Sequence, residues 1–272
     1  MLEQLKYINH INEVFEFGKY GIYVDSSDLR NYDWTVVSKN DRISGFRRKI
    51  TKRSLPVIIL CETEELAIAA KNRLFEVVEK DILAKKHGKI IIGNYYYKCF
   101  VVGSKKTDYL RTKKLFRATL TLTTDYPYWV KESKKAFGAA TQTKEGLDYS
   151  FDYPFDYFAS IASTEIGNSN FVASNFKMII YGACSNPTVT IGGHVYQVNC
   201  TVGENEYLTI DSTTKRIYVT ANDGTEVNHF NDRNKDSYIF ECIPSGTSAV
   251  AWNGTFGFDI ILLEERSEPK WT

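Results

Sequence analysis

The sequence predicts an α+β domain, a sheet with one main helix, followed by an all-β sandwich or jelly roll. Three observations lead there. One segment of the first half carries apolar residues at helical spacing between short strand-like runs. The second half offers only short strands, with turn residues roughly every eight to twelve positions. The charge also reverses along the chain. Residues 1–135 hold 26 Lys and Arg against 16 Asp and Glu, net +10; residues 136–272 hold 8 against 17, net −9. A total of +1 thus hides two oppositely charged halves, which points to two domains with different neighbours.

In the first half, residues 20–24, 33–38, 45–52 and 56–61 read as short strands. From Thr63 the period changes. Leu66, Ala70, Leu74, Val77 and Asp81/Ile82 recur at steps of three and four, which is one face of a helix over 63–86. Thr63 suits the N-cap, and Glu64 and Glu65 suit the positive end of the helix dipole. Lys85, Lys86 and His87 ahead of Gly88 form a C-terminal signature. Residues 89–92, a Gly93-Asn94 turn, 95–102 and 115–123 follow as strands. Residues 129–136 fit either a short helix or a strand. The first domain is therefore set at 1–135 and packs one helix on a sheet.

Between the halves, residues 148–158 read Asp-Tyr-Ser-Phe-Asp-Tyr-Pro-Phe-Asp-Tyr-Phe, a four-residue unit stated twice and begun again. Pro154 breaks a helix there and pushes Tyr153 toward extended geometry. A helix would also stack the three aspartates on one face. An extended strap is expected inside a linker over 136–160, with polar residues at 138–146. The sandwich then occupies 161–272, with strands at 176–181, 188–191, 195–202, 206–211, 216–220, 238–243, 249–252 and 256–263. Asn186-Pro187, Gly192-Gly193, Asn222-Asp223-Gly224, Pro244-Ser245-Gly246 and Asn253-Gly254 supply the turns between them.

Composition narrows the function classes. An aromatic share of 14%, with 18 Tyr and 16 Phe, leans toward β structure and interface surface. No stretch is apolar for long enough to span a membrane, and no secretory signal is readable. The five cysteines (Cys61, Cys99, Cys184, Cys200, Cys242) are widely spaced in apolar segments, so reduced, buried thiols are expected. Without Cys-x-x-Cys or close His/Cys pairs, no metal is expected. Neither phosphate-binding glycine motif occurs, so no cofactor is expected.

Four constellations deserve weighing. The basic runs Arg47-Arg48-Lys49, Lys52-Arg53, Lys105-Lys106 and Lys113-Lys114 could neutralise phosphates, but no nucleic-acid-binding motif accompanies them. Charged edges, or a basic surface for an acidic partner subunit, fit as well. Asp148, Asp152, Asp156, Glu204/Glu206 and Glu264/Glu265 are the carboxylates a glycosidase would need, yet pairs this local sit in solvated turns. His10, His87, His194 and His229 are scattered without an evident Ser or Cys partner, so no catalytic residue is assigned. Finally, Tyr196, Tyr207, Tyr218 and Trp252 are candidates for a carbohydrate or partner contact, against the alternative that they fill the sandwich core.

Taken together, the chain resembles the distal tail proteins of phages with long non-contractile tails. The strap at 148–157 looks like the Tyr-Pro-rich junction of that family. Residues 181–193 (Tyr-Gly-Ala-Cys-Ser-Asn-Pro-Thr-Val-Thr-Ile-Gly-Gly) open the second domain as family members do. Residues 203–211 (Gly-Glu-Asn-Glu-Tyr-Leu-Thr-Ile-Asp) with 215–219 (Lys-Arg-Ile-Tyr-Val) are similar to the central hairpin. Ile243-Pro-Ser-Gly246, Trp252-Asn-Gly254 and Glu265-Arg-Ser-Glu-Pro-Lys-Trp271 match the last strands.

The resemblance implies a structural hub. In that family the first domain forms a six-fold ring that continues the tail tube, and the second is a galectin-like or carbohydrate-module-like sandwich. The expected partners are further copies of the chain, the tail tube protein, the tail-tip protein and a receptor-binding protein or host cell-wall glycan. The expected location is the virion tail tip, after assembly in the bacterial host cytoplasm. No enzymatic activity, cofactor or metal comes with the family. The charge split suits such a role, since oppositely charged domains facing unlike partners would orient a ring. The competing readings are a monomeric cell-wall carbohydrate-binding module and a glycan-cleaving enzyme.

Overall fold

The computed structural model describes residues 4–107, 114–139 and 164–271. The chain forms two compact units, Met1–Lys131 with Glu265–Thr272, and Glu132–Glu264. It is mostly antiparallel β structure, with a single α-helix among the described residues.

In the first unit, antiparallel strands follow the order Ile22–Val24, Thr51–Leu60, Leu115–Thr124, Tyr95–Thr107, Gly88–Ile92, Leu5–Ile8 and Val14–Glu16. Strand Thr51–Leu60 alternates: Arg53, Leu55, Val57 and Ile59 are buried, whereas Lys52 and Ser54 face water. The long strand Tyr95–Thr107 serves two ladders. Tyr95 to Cys99 pair with Gly88–Ile92, and the part from Phe100 onward pairs with Leu115–Thr124. The register slips between Val101 and Gly103, a bulge that bends the strand from one ladder into the other.

The helix Glu64–Ala84 starts at Thr63, whose hydroxyl accepts the Leu66 N–H at 3.2 Å. It buries Ala67, Ala70, Leu74, Val77, Val78 and Asp81. Leu66 and Ile82, expected on that face, are exposed instead. The buried stripe keeps the expected Ala70, Leu74, Val77 and Asp81, starts at Ala67 rather than Leu66, and gains Val78. The helix ends at Lys85, which takes a left-handed conformation (φ 54°). Gly88, expected as the terminator, begins the next strand. It is needed there because a Cβ would strike the Tyr7 hydroxyl and the Asp81 carboxylate.

Other expectations change. Strands Leu5–Ile8 and Val14–Glu16 were not anticipated. Residues 45–52 do not form one strand. Arg42–Arg47 pairs with Thr35–Lys39 across an Asn40-Asp41 turn in which both residues have positive φ, and Thr51–Leu60 starts afresh. Between them Arg48 leaves the ladder. Its guanidinium sits 4.4 Å from the Trp34 ring centroid and 4.6 Å from that of Tyr128, and donates to Pro127 O and Ser267 Oγ. Residues 129–136, left between helix and strand, form strand Trp129–Phe137.

The last residues, expected in the sandwich, lie in the first unit because it holds their partners. Arg30 donates to Pro269 O at 2.8 Å and lies 3.9 Å from the Trp271 ring centroid; Tyr126 Oη donates to Glu265.

The second unit has two main antiparallel sheets around one core, and a further two-stranded ladder pairs Cys184–Ser185 with Thr201–Val202. One has the order Glu226–Asn228, Arg216–Thr220, Tyr207–Asp211, Asn175–Tyr181 and Phe258–Arg266. The other has the order Glu165–Asn168, Gly246–Trp252, Thr188–Ile191 and His194–Gln197. Phe176, Met178, Ile180, Leu208, Ile210, Phe258 and Ile260 from the first meet Ile166, Val189, Ile191, Tyr196 and Val250 from the second. Phe137, expected in the linker, joins this core and stacks on Phe258 at 4.7 Å. Residues 238–243 form no strand. Adjacent Ile239 and Phe240 and then Ile243 all enter the core from a turn closed by Glu241 N–H to Tyr238 O, 3.0 Å. The aspartate strap at 148–158 lies outside the described residues.

The five thiols are unbridged. Burial pushes Cys99 from an ordinary 9.0 up to about 12, and Cys184 and Cys200 to about 11. The thiolate is the reactive form. In the native protein at pH 8, these three are expected to resist iodoacetamide until denaturant is added. Mass-spectrometric peptide mapping reads this directly, and native labelling of Cys99 would contradict the placement.

Candidate functional site

The four aromatic candidates separate by face. Tyr196 is 1% exposed; its hydroxyl donates to Glu241 O at 2.9 Å and its ring meets Phe176 edge-on at 5.2 Å. Burial drives its phenol pKa up, with Glu241 and Cys242 adding to the shift, as befits a core side chain. Tyr196 is therefore not a platform. Trp252 packs edge-on against Phe137 and Phe258 and donates its indole N–H to Phe256 O at 3.1 Å, so it too serves the core.

Tyr207 and Tyr218 differ. Leu208 and Ile210 take the inner face of their strand, which leaves Tyr207, Thr209 and Asp211 on the outer one. Tyr218 is paired with Thr209, and Tyr181 with Tyr207, so three half-buried tyrosines share that outer face. The structure thus brings together two of the four candidates, adds Tyr181, and removes the other two.

The basic runs divide as well. Arg53 is buried and Arg48 is caged, with desolvation lowering the Arg48 pKa. Arg47, Lys49, Lys52, Lys105 and Lys106 are exposed. Strand alternation and the aromatic cage, neither visible in a charge count, decide which is which.

Among the described residues, Glu206, Glu264, Glu265 and the four histidines are engaged structurally. Glu206 accepts the Gly203 N–H at 2.8 Å, and Glu264 is buried. His10 contacts Asp81 at 2.6 Å, His87 Asp125 at 2.9 Å and His229 Asp232 at 2.8 Å. Ser237 Oγ lies 3.2 Å from His194 Nε2, superficially a nucleophile and its base. That nitrogen also bonds the Tyr238 carbonyl at 2.9 Å, which only accepts, so it carries the proton and cannot take one from serine. Ser237 itself donates to Val195 O at 2.7 Å. Among the described residues no three His, Cys, Asp or Glu side chains group to hold a metal, and no helix is long and apolar enough to cross a membrane.

Two exposed apolar surfaces of the first unit were missed. The hairpin Thr35–Lys39 and Arg42–Arg47 forms its own two-stranded sheet. It presents Val36 opposite Phe46, with Ile43, Trp34 and Ile50 also exposed and Phe46 61% so. On the helix, Ile68, Phe75 and Ile82 recur every seven residues outside the buried stripe, next to Leu83; Phe75 is 60% exposed. The signal was there, as large apolar residues off the main helical face and in both strands of a hairpin.

No family model matches this chain, and no curated protein matches it. Solved structures do. The SPP1 Dit protein, described as a paradigm of the hub adsorption apparatus in phages that infect Gram-positive bacteria, matches with a TM-score of 0.59. The match has 11% identity and covers 96% of this chain and 99% of that one. A chain of the phage P2 baseplate in its activated conformation, with Ca or with Sr, matches with a TM-score of 0.63. There the identity is 12%, covering 99% of this chain and 100% of that one. Over almost its whole length, this chain has the fold of the SPP1 hub protein and of a phage P2 baseplate chain.

Proposed function

We propose that the chain is a structural hub of a phage tail tip. Six copies form a ring that joins the tail tube to the tail-tip protein and the receptor-binding apparatus. One observation carries this reading: a hub protein and a baseplate chain match 96% and 99% of this chain in fold. The first unit forms the ring, and the second is a galectin-like or carbohydrate-module-like sandwich. The protein resides at the virion tail tip after assembly in the host cytoplasm, and its role is not catalytic.

Surface chemistry supports assembly. A lone hairpin with Val36, Ile43 and Phe46 in water is a liability for a monomer and an asset for a subunit. The first unit carries net +9 and the second −8, so the two can favour different neighbours.

Size exclusion coupled to light scattering is expected to give about six times the 31.1 kDa chain mass, alone or with the tail tube protein, and negative-stain images are expected to show rings. A strict monomer under both conditions would sink the reading. The charge hypothesis has its own arm. Arg47, Lys49 and Lys52 are reversed to Glu, with buried Arg53 and caged Arg48 left alone; unchanged assembly removes charge from the argument.

A second reading, a host cell-wall carbohydrate-binding module without a hub role, draws on Tyr181, Tyr207 and Tyr218 sharing an outer sheet face. It requires a monomer retained on cell-wall polysaccharide.

A further inference from the structure

A shallow pocket of about 350 Å³ in the second unit concentrates charge of the wrong sign for its surroundings. That unit holds 8 Lys and Arg against 16 Asp and Glu, yet Lys215, Arg233 and Lys235 all line this one pocket. No acidic side chain lines it. Among the described residues none of the three cations is ion-paired, whereas neighbouring Arg216 is held by Glu226 at 2.8 Å.

Aromatic rings complete the wall. Tyr238 is 56% exposed, and Phe230 and Phe240 stack with centroids 6.0 Å apart. The Lys215 ammonium lies 5.5 Å from the Tyr238 ring centroid and 5.3 Å from that of Phe240, and Arg233 lies 4.0 Å from that of Phe230.

The wall is also held in shape. Asn199 N–H donates to Asp232 O at 2.7 Å, Asn234 N–H to Gln197 O at 3.0 Å, and Ser237 Oγ to Val195 O at 2.7 Å. These anchors run to strand His194–Gln197 and the residues after it. Among the described residues these anchors use neither lysine ammonium, which leaves Lys215 only its ring contacts, and the Arg233 guanidinium donates to Phe230 O. Pre-placed cations beside a ring face are poor company for one another and good company for an anion.

We propose that this pocket binds a saccharide bearing a phosphate or carboxylate. The anion would lie among Lys215, Arg233 and Lys235, and the sugar's C–H face on Tyr238. An acidic peptide would satisfy the cations but leave the ring face unused. The inference stands whether or not the chain forms rings, because a single copy contains the whole site.

The test uses the full chain and NMR or calorimetric titration. Glucose 1-phosphate and glucuronate are compared with glucose, inorganic phosphate and hexaglutamate. One or both charged sugars are expected to bind more tightly than the three controls, with shifts at the amides of residues 230–240. Binding should weaken about tenfold in Lys215→Gln/Lys235→Gln, with unchanged thermal melting. Absence of binding by both charged sugars at about 10 mM overturns the proposal. So does inorganic phosphate binding equally well, which would leave a bare anion site. Tighter hexaglutamate binding would hand the pocket to an acidic protein partner, and an unaffected double variant would remove the lysines.

Discussion

Replacing Asp81 with alanine is expected to destabilise the first unit by about 3–5 kcal/mol, the cost of removing one member of a buried, hydrogen-bonded charged group. Asp81 is 0% exposed on the inner face of the helix. Its Oδ2 accepts from Tyr7 Oη at 2.5 Å; its Oδ1 accepts from the His10 backbone N–H at 2.8 Å and lies 2.6 Å from His10 Nδ1. One carboxylate thus ties the helix to the first strand and to the turn that follows it. Asn9, buried beside it, donates to Val77 O at 3.2 Å and accepts the Glu13 N–H at 2.8 Å, which shapes the same turn.

Alanine would leave a buried phenol and a backbone N–H without an acceptor. Urea unfolding followed by Trp fluorescence measures the loss, and a change below about 1 kcal/mol would refute the hub role of this carboxylate. The same cluster predicts alkaline sensitivity. Burial first, and the bond to Asp81 second, raise the Tyr7 pKa above its ordinary 10.0. The folded state therefore holds that proton more tightly than the unfolded chain. Its contribution is complete below pH 10 and is lost as pH rises beyond it.

In the second unit, Phe258→Ala is expected to cost about 3–5 kcal/mol by opening a cavity. Phe258 is fully buried and lies parallel to Phe137, with centroids 4.7 Å apart and planes at 9°. Trp252 meets it edge-on at 5.2 Å, and Phe256 follows at 6.1 Å. Losing this ring removes the surface on which Trp252 and Phe137 are ordered. Near-ultraviolet circular dichroism and urea unfolding should both report the loss, while Phe258→Leu should recover most of it. Equal stability of the alanine variant and the natural chain would mean that the aromatic cluster is not the centre of this core.

Much of this was legible beforehand because it is local. The N-cap at Thr63, the alternation of residues 56–61 and the Gly93-Asn94 turn each depend on a few consecutive residues. What failed was non-local. The segment 238–243 has strand composition, yet Ile239 and Phe240 both turn inward because a loop is closing over the core. Gly88 has the look of a helix terminator and is a packing necessity under Tyr7 and Asp81. Arg48 counts as surface charge in a sequence and is held among aromatic rings in the fold.

The candidate site shows the same division. Period-two alternation places Tyr196, Tyr207 and Tyr218 on strands without saying which face meets the second sheet. Only the partner across the core decides that, and it sends Tyr196 inside and leaves Tyr207 and Tyr218 on the outer face. The sequence by itself determined the long helix, the run of short strands, and two halves of opposite charge, all set by neighbours along the chain. The tertiary structure alone decided which cations were buried, that the final residues rejoin the first unit, and that Lys215 meets Arg233 and Lys235 at one pocket. Those outcomes depend on pairings between residues distant in sequence, and no local pattern encodes them.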